Sequence, residues 1–350
     1  GYFLGFASMQ IPLGYLLDKH GPKKVVSSFL LIAIIGTTAF ALSQSFSGLL
    51  ISRILIGVGV SACLMGPLTG YRIWFADEYQ QRANAWMLMI LSMGFVFSTL
   101  PVQILLPIIG WRWIFSGIAI LILIIILLTL FFIPPWKNKI NNDQKKNNGS
   151  LSDVWKNKFF ISTIPLGLFN YGGMIAIQTL WAGPWMVRIS GYTPLESATG
   201  LFWINGTMLV SFFIFGYILP KITKLGFKTM KLMKIGLPIS YLSLLVIIIS
   251  GENAGTIHFT IYILTSIVLT LTQPAVALSF PTNLAGKSLT SFNLLIFVGT
   301  FIMQWGIGLV IDLSRYLKND ETQSFQISFT VYLIICILSY SYFIMKNKNE

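Results

Sequence analysis

Amides and indoles set inside apolar sequence are the residues of this chain with the most chemistry to offer. In LFNYGGMIAIQTLWAGPW, residues 168–185, the polar and aromatic positions are Asn170, Tyr171, Gln178, Trp181 and Trp185. Taken from Asn170 at about 100° per residue, they project at about 0°, 100°, 80°, 20° and 60°, one face of a regular helix, with Thr179 opposite. A second face holds Asn293, Thr300 and Gln304, which project within about 40° of one another. Amides beside indoles suit a ligand that is polar at some atoms and flat or apolar at others. The competing reading is hydrogen bonding between helices with no ligand. Trp203, Asn205, Gln273 and Gln103 are further candidates, and a change such as Thr179→Val on the opposite face is expected to do little.

Arg53 is the most costly of these residues, because a charge within an apolar run needs a partner or water. One reading makes it a coupling residue for a proton or an anionic substrate. The other makes it a structural cation at the outer rim. No Asp or Glu lies in the middle of any apolar run to pair with it. A further concentration of charge sits at residues 14–24, GYLLDKHGPKK, between two apolar runs.

Several chemistries find no support. There is no Gly-x-x-x-x-Gly-Lys-Ser/Thr phosphate loop and no His/Cys cluster with metal spacing. Cys63 and Cys336 both sit in apolar runs, with neither disulfide nor metal context. His20 and His258 have no visible triad partners. The expected protein is not an enzyme, has no ATP motor and needs no cofactor.

The elements that must position these residues are apolar and long. The chain has 350 residues, 55% of them hydrophobic and 10% charged. Eleven apolar segments fall near 1–17, 24–43, 47–72, 83–107, 112–133, 158–187, 196–220, 230–250, 256–281, 288–313 and 325–345. Segments of this length and composition predict membrane-spanning helices, since lipid leaves a bare backbone no other stable form. With residues 18–24 in the cytoplasm, 19 of the 24 lysines and arginines fall on cytoplasmic connections or the C-terminus. Only Arg112, Arg188, Arg315 and Lys318 fall outside. That split follows the positive-inside rule, so the net charge of +13 points to topology and anionic headgroups, not nucleic acid.

Residues 134–157, rich in Asn and Lys, read as a linker with a short amphipathic helix near Leu151–Trp155. They separate an N-terminal bundle, 1–133, from a C-terminal bundle, 158–350. Five spans precede the linker and six follow it. The chain begins inside an apolar segment, and one helix before Gly1 would make six plus six. GYILPKITKLGFK at 216–228 echoes GYLLDKHGPKK and falls at the matching place in the second half.

The pattern Gly14-x-x-x-Asp18-Lys19-x-Gly21-x-Lys23-Lys24 resembles the signature loop of the major facilitator superfamily. That loop lies between the family's second and third helices. Arg53-x-x-x-Gly57-x-Gly59 resembles its fourth-helix motif, and GWRWIF at 110–115 the start of its sixth helix. The resemblance implies an all-α membrane fold of two pseudo-symmetric six-helix bundles around a central cavity, here with the first helix missing. It implies a conformational latch at Gly14, Asp18, Lys19, Gly21, Lys23 and Lys24, with Gly14 and Gly21 allowing close helix approach and a tight turn. Asp77 and Glu78, near Arg82, are candidate latch partners. It places the 158–187 helix beside the cavity. It further implies a monomeric secondary transporter of a small molecule in the cytoplasmic membrane, coupled to a proton or sodium ion or to none. GFVFSTLPVQILLPIIG, residues 94–110, departs from the family's antiporter signature, which favours symport or facilitated uptake over drug/proton antiport. A transport-inactive receptor or scaffold is the remaining alternative.

Overall fold

A computed structural model describes residues 1–75, 77–134, 150–224 and 229–347. All regular structure among them is helical. Nine helices among the described residues are long and apolar enough to cross a membrane. The expected spans at 1–17 and 83–107 are each interrupted. The first breaks at Met9, between α1 (Tyr2–Ser8) and α2 (Gln10–Leu42). The second breaks at Ser98 and Thr99, between α5 (Asp77–Phe97) and α6 (Leu100–Phe132). There the Ser98 and Thr99 hydroxyls donate to the Phe95 and Val96 carbonyls at 2.9 and 2.7 Å. These local bonds compete with the helical ladder, and Pro101, which lacks an N–H, fits in the first turn of the next helix.

α2 and α6 also turn sharply within their length, each at a glycine. Gly21 has φ 75°, ψ 161° and Gly110 has φ 73°, ψ 158°. Residues with a Cβ scarcely visit this region, so the turn in the charged loop and the turn before GWRWIF make the same demand for glycine. The two junctions are one local design used twice in the first half of the chain.

Contacts divide the chain into two compact units. One comprises Gly1–Leu88 with Ile104–Leu151, the other Met89–Gln103 with Ser152–Glu350. In the first, α3 (Phe46–Val60) packs by backbone approach. A Cβ at Gly57 would strike the Tyr2 carbonyl oxygen, and one at Gly59 would strike the Ala33 backbone. The two glycines that follow Arg53 are thus the seats of α1 and α2. Small residues at such crossings replace the hydrophobic drive that lipid removes. α4 (Ala62–Trp74) completes the core of this unit, where Leu13, Leu17, Val25, Phe29 and Ala62 are buried together.

The second unit contains the short helix α7 (Leu151–Lys156), then α8 (Lys158–Arg188), α9 (Pro194–Lys224) and α10 (Thr229–Ser250). α11 (Thr256–Leu278), α12 (Thr282–Tyr316) and α13 (Glu321–Lys346) follow. α8 is not a regular helix. Leu166–Tyr171 and Ile177–Trp181 are π-helical. The first wide segment follows Pro165, and the second takes in Leu180, whose carbonyl the ring of Pro184 would otherwise crowd. α8 and α12 meet backbone to backbone, since a Cβ at Gly299 would overlap the Leu168 carbonyl and one at Gly172 would lie 2.6 Å from Gly299.

Candidate functional site

The π-helical segments undo the single face expected of α8, because a projection at 3.6 residues per turn no longer applies across them. Asn170, Gln178, Trp181 and Trp185 consequently have three different environments.

Asn170 is buried at the centre of the second unit. Its Oδ1 accepts from the Tyr241 hydroxyl at 2.6 Å, and its Nδ2 donates to the Cys336 carbonyl at 3.5 Å. Its own carbonyl accepts from Tyr332 Oη, which lies 3.0 Å from Tyr262 Oη. One amide thereby ties α8 to α10 and α13, and Tyr332 extends the tie to α11. Tyr171, beside it, is half-buried against the hydrophobic core. The three tyrosines were not singled out from sequence. The available signal was a hydroxyl at mid-span, which must find a partner when buried.

Trp185 is 0% exposed. Its ring is 4.7 Å from Phe329 and about 6 Å from Phe259 and Phe325. Its place on a ligand-facing surface is therefore corrected: it is the centre of an aromatic core, with no open face for a solute.

Gln178, Trp181 and Gln304 are brought closer to the expected arrangement. Gln178 Nε2 donates to Asn205 Oδ1 at 2.8 Å and approaches Met208 Sδ at 3.0 Å. Trp181 Nε1 donates to the Gln304 carbonyl at 3.1 Å, and its ring lies against Gly308 and edge-on to Phe325. Gln304 Nε2 donates to Thr179 Oγ1 at 3.0 Å. Thr179 is exposed on the unit's surface and holds a candidate residue, so its assignment to an inert opposite face is also corrected. Thr179, Trp181 and Gln304 form a half-open polar and aromatic surface across α8 and α12. Gln178 and Asn205 lie behind it.

The α12 stripe separates. Asn293 is buried and accepts from Gln273 Nε2 at 2.6 Å, while Thr300 bonds back to the Ile296 carbonyl at 2.9 Å. Of that stripe, Gln304 alone joins the half-open surface. Trp203 is 61% exposed, its ring edge-on to Phe202.

In the first unit, the Arg53 guanidinium lies 4.5 Å from the Phe40 ring centroid and 5.1 Å from that of Phe115. Among the described residues no carboxylate is within ion-pair distance of it. Cation–π contact with two rings is how this charge is held. Nearby, Arg112 lies over the Trp111 ring at 4.2 Å and donates to the Ser43 carbonyl at 3.2 Å. In the charged loop Gly21 makes the turn, and Lys19 approaches the Tyr15 ring at 5.7 Å. A Cβ at Gly14 would meet nothing within 4 Å, so close approach does not require that glycine in this conformation. Lys23 is half-buried and Lys24 exposed. The side chains of Asp18, Asp77, Glu78 and Arg82, the linker residues 135–149, and the end of the second echo at 225–228 lie outside the described residues.

Comparison with known proteins adds to this geometry. A family profile for the Major Facilitator Superfamily matches residues 1–304. The inner membrane transport protein YajR of Escherichia coli (strain K12) is 31% identical over 231 residues, 63% of this chain and 46% of that protein. The glucose transporter GlcP of Staphylococcus epidermidis is 25% identical over 184 residues, 50% of this chain and 40% of that protein. The chain thus spans less than half the length of these two relatives. A crystal structure of a D-xylose-proton symporter superposes with a TM-score of 0.75 at 13% identity, covering 98% of this chain and 84% of that one.

Proposed function

This chain belongs to the major facilitator superfamily, and we propose that it moves a small, uncharged, polar solute across the cytoplasmic membrane by alternating access. The observation that carries this reading is the half-open surface of Thr179, Trp181 and Gln304, backed by the Gln178–Asn205 pair. It offers amide, hydroxyl and indole groups and no charge. Such a surface binds through a few oriented hydrogen bonds and aromatic area. Asn170 and Asn293 tie helices elsewhere in the unit, with Tyr171 packed on its core, and Trp185 anchors α8 among aromatic rings. Uptake by ion-coupled symport or facilitated diffusion is the proposed mode. Arg53 serves as a structural cation at the outer rim while it rests on Phe40 and Phe115. The loop at 14–24 acts as the latch, with Asp18 as its acid. The basic connections support a cytoplasmic C-terminus.

The test is solute uptake into proteoliposomes holding the full-length protein, with a panel of neutral monosaccharides headed by glucose. Saturable uptake that Gln304→Ala weakens by about 1–3 kcal/mol, chiefly in KM, supports the reading. An inward proton gradient that accelerates it identifies symport. Export of hydrophobic cations without sugar uptake replaces it with drug efflux. No transport of either class by a folded, full-length protein leaves the receptor reading in its place.

A further inference from the structure

Two amide pairs in the second unit are built alike. Gln178 Nε2 donates to Asn205 Oδ1 at 2.8 Å, joining α8 to α9. Gln273 Nε2 donates to Asn293 Oδ1 at 2.6 Å, joining α11 to α12. Each glutamine stands on the first helix of a three-helix set, α8–α10 or α11–α13, and each asparagine on the second. The asparagines also share a register: 205 counted from Pro194 and 293 counted from Thr282 are both 11 residues into their helices. Paired three-helix sets are the inverted repeats nested in each half of this kind of transporter. Both glutamines sit at irregular backbone, Gln178 within the π-helical Ile177–Trp181 and Gln273 two residues past the 3₁₀ segment Ile267–Leu271. Such breaks inside a helix are frequent where the helix serves a site.

Neither pair is closed. Gln273 Oε1 and Asn293 Nδ2 have no partner among the described residues, and neither atom is sealed from solvent. Gln178 Oε1 and Asn205 Nδ2 are left in the same way. An open amide oxygen and an open amide N–H in one pair match a hydroxyl, which donates to the first and accepts from the second. A carboxylate or an ammonium group would satisfy only one of the two.

The pairs differ in depth. α8 to α11 are four successive spans, so the α8–α9 and α11–α12 connections fall on opposite sides of the membrane. Gln178 and Asn205 lie toward the first connection, Gln273 and Asn293 toward the second. α12 links the two levels. Asn293 and Gln304 project within about 20° of each other on it and stand about 16 Å apart along its axis. The half-open surface at Gln304 and the Gln273–Asn293 pair thus share one stripe of α12.

On the reading that a solute binds at Thr179, Trp181 and Gln304, we propose that the Gln273–Asn293 pair is a second station for the same neutral, hydroxyl-bearing solute, nearer the opposite side of the membrane.

The experiment is alkylation of the full-length protein in proteoliposomes by a membrane-permeant maleimide, with native cysteines replaced and glucose as the probe. Single cysteines replace Thr179, on the first surface, and Ala277, a half-buried residue one turn past Gln273 on α11. The expected result is that glucose slows alkylation at both positions. Gln273→Met keeps the side chain's length without its amide. It should raise the glucose concentration for half-protection at 277 about fivefold and leave that at 179 nearly unchanged. Gln304→Ala should do the reverse. Asn293→Ala is the second variant of the pair, and thermal midpoints show which variants fold. Protection at 179 without protection at 277 overturns the second station and leaves the first surface standing. So does protection at 277 that Gln304→Ala weakens as much as protection at 179, or that no folded variant of the pair alters. Protection at neither position, by glucose or by the other sugars of the panel, defeats the solute reading and the second station with it.

Discussion

The two units solve the same problem, polar groups inside lipid, in different ways. In the first, the hydroxyls of Thr37, Ser52, Ser61 and Thr69 bond back to carbonyls of their own helices. Its helices meet through Gly57 and Gly59, and Arg53 is held by aromatic rings. In the second, side chains bond across helices: Asn170 with Tyr241, Gln178 with Asn205, Gln273 with Asn293, Gln304 with Thr179, and Tyr262 with Tyr332. A back-bonded hydroxyl is self-sufficient and indifferent to its neighbour. A cross-helix amide fixes which helix lies beside it, and its remaining donors and acceptors are available to a ligand. Among the described residues, side-chain bonds that join helices are found mainly in the second unit.

The largest effects should come from the backbone contacts, which have no slack. Gly59→Leu in the first unit and Gly299→Val in the second each force a side chain into backbone. Each should cost about 3 kcal/mol or more, seen as loss of monodisperse protein on size-exclusion chromatography. Normal yield and thermal midpoint for either would break the claim that its unit is seated on glycine.

Gly110→Ala comes next. Its backbone angles are nearly closed to alanine, while a Cβ there meets nothing within 4 Å. The expected cost is about 1–3 kcal/mol, read as a lower thermal midpoint. An unchanged midpoint would mean that the turn relaxes freely.

Tyr241→Phe sharpens the contrast between the units. It removes the hydroxyl that donates to Asn170 Oδ1, and should destabilise by about 0.6 kcal/mol, the average for hydrogen bonds between membrane helices, and by no more than about 1.7. Ser52→Ala, which removes a bond within one helix, should change the thermal midpoint by less. Equal effects would erase the distinction drawn between the units.

The smallest effect belongs to the C-terminal ends of α8 and α12 and the N-terminal end of α13. Glu321 pairs there with Arg315 at 2.5 Å and Arg188 at 3.5 Å, all three partly exposed. Glu321→Gln should cost under about 1 kcal/mol, and added salt should shrink the difference.

Sequence carried the all-helical membrane architecture well, because hydropathy reports directly on spans. Gly21 was legible as a turn, and Gly57 and Gly59 as a motif, although the backbones they seat became visible only in three dimensions. The candidate face on α8 was legible in part. Trp181 and Gln304 could be nominated as amide and indole in apolar sequence, but their meeting depends on the path of α8. Regular helical projection put Trp185 with them and Thr179 against them. Two π-helical segments, which leave no periodic trace in composition, reversed both. The tyrosines around Asn170 were hidden for another reason: a tyrosine in an apolar run reads as an aromatic until its hydroxyl's partner is known.

The most direct test of a solute site on the second unit is substrate protection in full-length protein with its native cysteines replaced. Cysteines are placed singly at 179 and 304, on the half-open surface, and at 185, in the aromatic core. The account predicts that alkylation at 179 and 304 slows when a transported solute is added at saturation. It predicts that 185 is unreactive with or without solute. Alkylation at 179 and 304 that saturating solute leaves unchanged, while transport proceeds, would contradict it and leave Gln304, Thr179 and Trp181 as helix packing.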